Sequence, residues 1–315
     1  MRSLGFLGLI LLLLAVTTAA SPWIAIGLGG LGFPFKFSRV YNRVFEVLLV
    51  LAIIIAWRPL DLGDATEIGL RRSGWARDLG RGLVVGGAGI AVALVACWLG
   101  GALVPRLRYG LAQTVGQGAA GLLGAVLVGV GEEALFRGVL LRRLSADTGR
   151  AAGVVLSTAL YAVVHALRPG GPPDAHAWSG VERTLALFAA LGDPGVLPSI
   201  AGLFGFGLLL VFARTRSGGL WLPIGIHAAW VAVFRVGRLL LDIRRTPIWL
   251  IGPGWPPLVG GAGGWIAIGA TSAALALALR ATPSPAAARE SAGDARTHAA
   301  HDGSPTCERR GTRSG

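Results

Sequence analysis

GLVVGGAGIAVALVACWLGGALV, residues 82–104, is a run of 23 residues without a charged, amide or hydroxyl side chain. A helix needs about 20 apolar residues to cross the hydrocarbon core of a bilayer. Lipid cannot satisfy free backbone N–H and C=O groups, so such a run must be helical, and nothing in the chain alternates as the strands of a membrane barrel do. This stretch therefore predicts a membrane-spanning helix.

Similar runs recur along the chain, whose 315 residues are 53% hydrophobic and only 14% charged, with a mean hydropathy of +0.65. Soluble domains are about one quarter charged, so this composition excludes an ordinary soluble enzyme and a disordered protein. We predict an all-α, polytopic integral membrane bundle of about eight transmembrane helices, forming one domain over residues 1–280. The predicted segments are Leu4–Ala20, Val44–Trp57 with an earlier start, Gly82–Val104, Leu111–Val130 continuing to Glu132, Ala151–Leu167, Val196–Ala213, Gly219–Val236 and Gly260–Leu279.

The two ends of the chain differ from this pattern. Arg2, an apolar core and the stretch Thr17–Ala20 also resemble a cleaved signal peptide, although Pro22 and the span that follows favour a retained helix. From Ala281 onward the composition shifts to Pro, Ser, Gly, Ala and charged residues, which cannot bury enough apolar surface to fold. Residues 281–315 are therefore predicted to be a disordered polar tail.

The net charge of +13 does not indicate a nucleic-acid partner. The basic residues fall mainly in short gaps between apolar runs and in the tail, as is usual for membrane proteins, and no basic stripe is interleaved with aromatic residues. Both sets of gaps carry arginines, so charge does not decide the topology. Lys36 is the only lysine, among abundant Ala, Gly and Arg, which favours a GC-rich bacterial genome. We expect a multi-pass protein of the bacterial inner membrane, with the lipid bilayer as a partner.

The most polar stretch at the end of a predicted span is GEEALFRG, residues 131–138. Ionisable side chains inside membrane spans are costly and are usually functional. Glu133 and Arg137 are four residues apart on one helix face, so we predict an ion pair between them. Glu132 points about 100° away from that face and is free for another role. From the spacing alone, a salt bridge at the membrane edge with a spare carboxylate is the simpler interpretation.

Two of the five histidines lie inside predicted spans, His165 late in the fifth and His227 in the seventh. A lone histidine in an apolar helix usually serves packing, but three helices can bring Glu132, His165 and His227 to one cavity. One carboxylate and two imidazoles suit the activation of water by a general base, with donors to an oxyanion. The same three residue types also suit a zinc site. The residue types alone do not distinguish water activation by a general base from a zinc site.

Glu-Glu-x-x-x-Arg at 132–137, aromatic-x-x-x-His at 161–165 and His227 on a later helix resemble the motifs of the CPBP intramembrane endopeptidases. That family includes CaaX proteases, Abi-type bacteriocin-processing and immunity proteins, and bacterial sorting proteases. The resemblance covers about residues 113–236, and Tyr161 stands where phenylalanine is usual. It implies a protease that hydrolyses a peptide bond near the membrane in a lipid-anchored or membrane-anchored protein or peptide.

The resemblance also implies a role for each matched residue. Glu132 is expected to act as general base on a water molecule, His165 to position that water or share its proton, and His227 to donate to the oxyanion. Glu133 and Arg137 are expected to form a pair that fixes the helix or binds the substrate backbone. We favour a site without metal or cofactor, because the basic Arg137 lies beside it. A metalloendopeptidase with zinc on Glu132, His165 and His227 is the alternative.

Position 231 departs from the family pattern. The third motif usually ends in Asn or a similar polar residue four positions after its histidine, where it is thought to help hold the oxyanion, and here that residue is Val231. Loss of one oxyanion donor typically costs about 10²–10³ in rate, so the chain is a slower enzyme, an enzyme with another donor, or a pseudoenzyme. Gln113 and Gln117 are candidate substitutes, although interhelical hydrogen bonding is their simpler role. An asparagine at 231 is expected to raise turnover.

Functions of two other classes stay open. A non-catalytic membrane protein with an immunity or scaffold role is favoured by Val231. A transporter that uses buried carboxylates is disfavoured, because such proteins usually show paired repeats, and the sequence has none. The residues also leave the substrate open among a CaaX tail, a bacteriocin leader and a sorting-signal anchor, of which the first is the least expected in a bacterium.

Overall fold

The structure is a computed structural model that describes residues 2–33, 35–56, 64–166, 172, 174–244, 246–254 and 256–280. The chain divides into two compact units, residues 1–274 and 275–315. Of the second unit only the end of the last helix is described. Trp57 and Leu167, which end two predicted spans, and the predicted tail 281–315 lie outside the described residues. The domain boundary at residue 280 stays a prediction.

Helices make up most of the described chain, which confirms the all-α class. The α-helices are α1 Arg2–Gly30, α2 Phe37–Ala56, α3 Trp75–Leu99, α4 Leu111–Glu133, α5 Leu141–Thr148, α6 Arg150–Ala166, α7 Ser179–Ala189, α8 Leu197–Ser217, α9 Trp221–Leu240, α10 Ile248–Ile251 and α11 Ala262–Arg280. A π-helical segment, Ala134–Leu140, joins α4 to α5, and two 3₁₀ turns, Ala190–Gly192 and Pro194–Val196, precede α8.

Six helical segments among the described residues are long and apolar enough to cross a membrane, so a multi-pass helical bundle is confirmed but the count of eight is not. Each of the eight predicted segments does correspond to a helix. The two that fall short are α2, whose N-terminal half contains Arg39, Arg43 and Glu46, and α6, which has 17 described residues. The first helix continues through the predicted cleavage site as far as Gly30, with Pro22 inside it.

One helix is shorter than the span predicted for it. The helix predicted to reach Val104 ends at Leu99, and Gly100 and Gly101 follow, the second with a φ of +71° that favours glycine. The chain then forms the short strand β1, Leu103–Pro105, which pairs antiparallel with β2, Leu241–Ile243. Two glycines therefore stop the helix within a stretch that remains apolar, and this is why hydropathy alone overestimates its length.

Helix α9 lies in the interior, because small residues let its backbone approach α3 and α4. A Cβ atom on Gly82 of α3 would lie 2.2 Å from the carbonyl oxygen of Leu222, and one on Gly225 of α9 would lie 2.3 Å from that of Leu79. On the α4 side, a Cβ atom on Gly129 would lie 3.2 Å from the carbonyl oxygen of Ile224. Apolar helices gain little from mutual burial in lipid, so close packing of this kind holds them together.

Candidate active site

The carboxylates of the first motif lie where a regular helix changes its geometry. Helix α4 ends at Glu133, and the next seven residues, Ala134–Leu140, are π-helical before α5 begins. The N–H of Leu141 donates to the carbonyl of Phe136, five residues earlier, as a π-helix requires. Wide turns of this kind often occur at functional sites in otherwise regular helices. The sequence did not predict this one.

Glu133 is the centre of a buried network. Its Oε1 accepts from Nη1 of Arg137 at 2.9 Å, which confirms the predicted ion pair, and it also accepts from Nδ1 of His227 at 2.7 Å. The side chains of Glu133, Arg137 and His227 are 0%, 2% and 4% exposed. A buried carboxylate between a guanidinium and an imidazole links the first motif on α4 directly to the third motif on α9.

Glu132 lies on the more open side of the same helix end. Its Oε2 is 2.9 Å from Nε2 of His165 on α6 and 3.5 Å from Nε2 of His227 on α9. Glu132 and His165 keep 29% and 25% of their side chains exposed, so this carboxylate is accessible where Glu133 is not. The three residues that were predicted from the sequence to be catalytic thus come from three different helices and lie close together in the structure.

In each imidazole, the hydrogen-bond partner of Nδ1 determines whether that nitrogen carries a proton, and therefore what Nε2 can donate or accept. The backbone carbonyl of Tyr161 can only accept, so Nδ1 of His165, 2.8 Å away, carries the proton that it donates. Nε2 of His165 then shares one proton with Glu132, either as an imidazolium beside a carboxylate or as an imidazole beside a carboxylic acid. Glu133 is ionised by its pairing with Arg137, so His227 likewise donates from Nδ1.

Aromatic rings enclose the site. The guanidinium of Arg137 lies 4.1 Å from the centroid of the Tyr161 ring, and that ring lies 4.3 Å from the imidazole of His165. On the other side, the ring of Phe206 on α8 lies 5.7 Å from that of His227. A cation over an aromatic face is stabilised when water is excluded, so this packing fixes the orientation of Arg137.

Two features of this enclosure were missed by the sequence reasoning. Phe206 carried no signal, because it is one apolar residue in an apolar span. Gly207, next to it on α8, makes room for the network, since a Cβ atom there would lie 2.7 Å from Cγ2 of Thr158 and 3.2 Å from Nη2 of Arg137. Only a regular occurrence of glycine opposite the first motif in related sequences could have indicated that role.

The donor set of Glu132, His165 and His227 has the chemistry of a zinc site, but its arrangement does not fit one. Among the described residues no three or more His, Cys, Asp or Glu side chains are placed to hold a metal ion. Oε2 of Glu132 is in direct hydrogen-bond contact with His165 at 2.9 Å. The reaction proposed for this site therefore uses only protein side chains and water.

Of the remaining sequence candidates, the two glutamines of α4 lie away from this site. Val231 lines a cavity of about 420 Å³ whose lining includes none of the three predicted catalytic side chains. Gln113 and Gln117 are exposed on α4, 19 and 15 residues before Glu132. At 1.5 Å per residue they lie about 28 and 22 Å away along the helix, which is too far to donate to an oxyanion beside Glu132.

Comparison with known proteins agrees with the motif pattern. Residues 114–233 match the family model described as Rce1-like, type II CAAX prenyl endopeptidase. No curated protein and no solved structure matches the chain at a significant level. The matched segment contains all three motif regions and also Val231. The resemblance of this chain to the CAAX protease family is therefore confirmed over residues 114–233.

Proposed function

We propose that the protein is an intramembrane endopeptidase that hydrolyses a peptide bond near the membrane surface in a lipid-anchored or membrane-anchored protein or peptide. The observation that carries the proposal is the convergence of Nε2 of His165 and of His227 on one oxygen of the partly exposed Glu132, at 2.9 and 3.5 Å. A bacterial inner-membrane location and a substrate among CaaX tails, bacteriocin leaders and sorting anchors belong to the same proposal.

In the proposed reaction Glu132 activates a water molecule. Its Oε2 is held by His165, while its Oε1 has no protein partner among the described residues and can accept a hydrogen bond from water. As the water oxygen bonds to the scissile carbonyl carbon, its proton passes to Glu132. His165 can share the proton that Glu132 receives, because its ring is held by the hydrogen bond from Nδ1 to the carbonyl of Tyr161. General-base assistance of this kind contributes typically 10²–10⁴ in rate.

His227 acts on the oxyanion in its imidazolium form. Its Nδ1–H is held by Glu133, so a second proton on Nε2 is the one that donates to the carbonyl oxygen as the C=O electrons move onto it. Glu132 and His165 together carry one shared proton, and Glu133 is paired with Arg137, so these four groups sum to zero. The imidazolium of His227 is then the one net positive charge of the site, opposite the developing oxyanion. When the tetrahedral intermediate collapses, the C–N bond breaks and the amine nitrogen takes the proton from Glu132. The products are a carboxylic acid and an amine, with one water consumed.

The direct test is cleavage by the purified protein reconstituted in vesicles. A library of peptides with a lipid or transmembrane anchor, sampled by mass spectrometry over time, is expected to give products cut at one position near the anchor. The proposal requires that the cut site keep a constant distance from the anchor when the flanking sequence is changed. Products that appear equally with heat-inactivated protein would contradict it.

Removal of metal is expected to leave the activity unchanged. Metal ligands must give up protons to bind an ion, so a bound metal would be lost to exhaustive chelation or to acid. We expect cleavage rates before and after chelation to agree within about twofold, and zinc to be well below one per chain by elemental analysis. One zinc per chain, together with loss of activity on chelation and its recovery with added zinc, would show a metalloendopeptidase.

The substitution Val231→Asn tests the runner-up, a non-catalytic protein with an immunity or scaffold role, which the departure at this position favours. Val231 lines a cavity whose lining includes none of the three catalytic candidates, and turnover is expected to change by less than about tenfold. The measurement is single-substrate turnover beside thermal stability. Cleavage that appears only in the Val231→Asn variant would instead identify the wild-type chain as non-catalytic.

A further inference from the structure

Two adjoining cavities share a pair of arginines at one end of the spanning helices. Arg235 and Arg238 of α9 line both the cavity of about 420 Å³ described above and a second cavity of about 600 Å³. The lining of the first cavity is mostly apolar. The second also contains Arg108, Tyr109 and Gln117, whose side chains can donate hydrogen bonds. One space is thus suited to a hydrocarbon chain and the other to an anion.

The positive charge around the second cavity is only partly neutralised. Asp242 accepts from Arg106 at 2.8 Å and also from Arg108, and the hydrogen bond from Arg106 lowers the pKa of this carboxyl, so it is ionised. Arg235 and Arg238 have no acidic partner in the part of the chain that the structure describes. Four arginines and one carboxylate leave a strongly positive cluster, which is expensive without an anionic counterpart.

The cluster is expected at one edge of the bilayer, because it lies at the end of a helix long and apolar enough to span it. Arg235 and Arg238 are within the last six residues of α9, and Arg108 comes just before the start of α4, beside which α9 ends. The N–H of Arg108 donates to the carbonyl of Leu239, which ties the two ends together. Basic pockets between spanning helices bind anionic lipid headgroups.

The pocket is also shaped by small residues. Arg235 lies flat against α4 at Gly124, where a Cβ atom would approach its Nη1 to 2.6 Å. A Cβ atom on the neighbouring Gly121 would lie 3.5 Å from Cβ of Arg235. Two glycines about one turn apart therefore leave a shallow groove in α4, against which the side chain of this arginine packs.

We propose that these two cavities bind one anionic phospholipid, with its phosphate between Arg235 and Arg238 in the polar cavity and part of an acyl chain in the apolar one. The site is distinct from Glu132, His165 and His227 and does not depend on their chemistry. His227 and Arg235 are eight residues apart on α9, which is about 12 Å along the helix axis. Lipid bound here would brace the contact between α4 and α9, the two helices that carry the first and third motifs.

The test is lipid binding by the full chain in detergent, measured by native mass spectrometry and by thermal shift. The probes are phosphatidylglycerol and phosphatidylcholine with identical acyl chains. We expect one phosphatidylglycerol per chain to be retained, binding to weaken at high salt, and phosphatidylcholine to bind at least tenfold more weakly. Arg235→Gln and Arg238→Gln are each expected to weaken phosphatidylglycerol binding about fivefold, which is what one basic residue contributes at an anionic surface.

Arg81→Gln is the matched control, since it removes an exposed arginine from α3 far from both cavities and is expected to leave the affinity unchanged. Arg238 is exposed, so its single variant carries the test if Arg235→Gln folds poorly. Equal binding of the two lipids, or equal loss with Arg81→Gln, would overturn the proposal. So would tighter binding of an acylated peptide with a free C-terminal carboxylate than of its amide and of phosphatidylglycerol, because the pocket would then be a peptide site.

Discussion

Glu132→Gln is expected to lower the turnover of an anchored peptide by roughly 10²–10⁴, the contribution of a general base, while the fold stays intact. Glutamine keeps the shape of the side chain and can still hydrogen-bond to His165, but it cannot take a proton from water. The side chain is 29% exposed, so the neutral amide costs little in desolvation. Turnover is measured by mass spectrometry of the products, and folding by thermal denaturation in detergent.

The chain provides a matched control for this change. Glu182 and His176 form a second carboxylate–imidazole pair, 3.3 Å apart and about half exposed, outside the site. Glu182→Gln makes the same chemical change to a similar pair and is expected to leave turnover unchanged. Wild-type turnover in the Glu132→Gln variant would remove Glu132 from the reaction. Equal losses in both variants would point to a general effect on folding instead.

The parts of this site that sequence reasoning could predict are the local ones. Glu133 and Arg137 are four residues apart, and the pair forms even though the intervening backbone is π-helical rather than α-helical. The helices themselves were predictable because apolar runs of sufficient length leave no alternative in lipid. The bounds were less accurate where glycines or charges lie inside an apolar stretch, as at Gly100 and in α2.

The parts that could not be predicted depend on distant segments meeting. The bond from His227 to Glu133 joins residues 94 positions apart, and only the rarity of histidine in the spans suggested that His227 was more than a packed residue. The pattern expected Val231 to face the same cavity as His227. Val231 lines the cavity of about 420 Å³, whose lining does not include His227, and the expectation stays a prediction. The segment Ala134–Leu140 combines good helix formers with one glycine and one valine, and nothing in it indicated a π-helix.

Arg137→Ala is expected to lower the free energy of unfolding by about 3–5 kcal/mol, as well as to abolish cleavage, because it leaves Glu133 charged in a water-free site. Both side chains are at most 2% exposed, and the variant also loses the contact with the Tyr161 ring. The remaining partner of the carboxylate is His227. The measurement is reversible denaturation in mixed detergent micelles, read beside the cleavage rate.

Two further variants test whether the loss of stability in Arg137→Ala comes from the unpaired charge on Glu133. Arg43 and Glu46 form an exposed pair three residues apart on α2, so Arg43→Ala removes a similar helical ion pair and is expected to cost at most about 1 kcal/mol. Adding Glu133→Gln to Arg137→Ala neutralises the uncompensated carboxylate and is expected to recover part of the lost stability, although not the activity, since the glutamine holds His227 without a charge. If the Arg137→Ala protein is as stable as the wild type and has lost only substrate affinity, Arg137 contacts the substrate. Its Nη2 is buried without a hydrogen-bond partner and would then be the group that binds the peptide backbone.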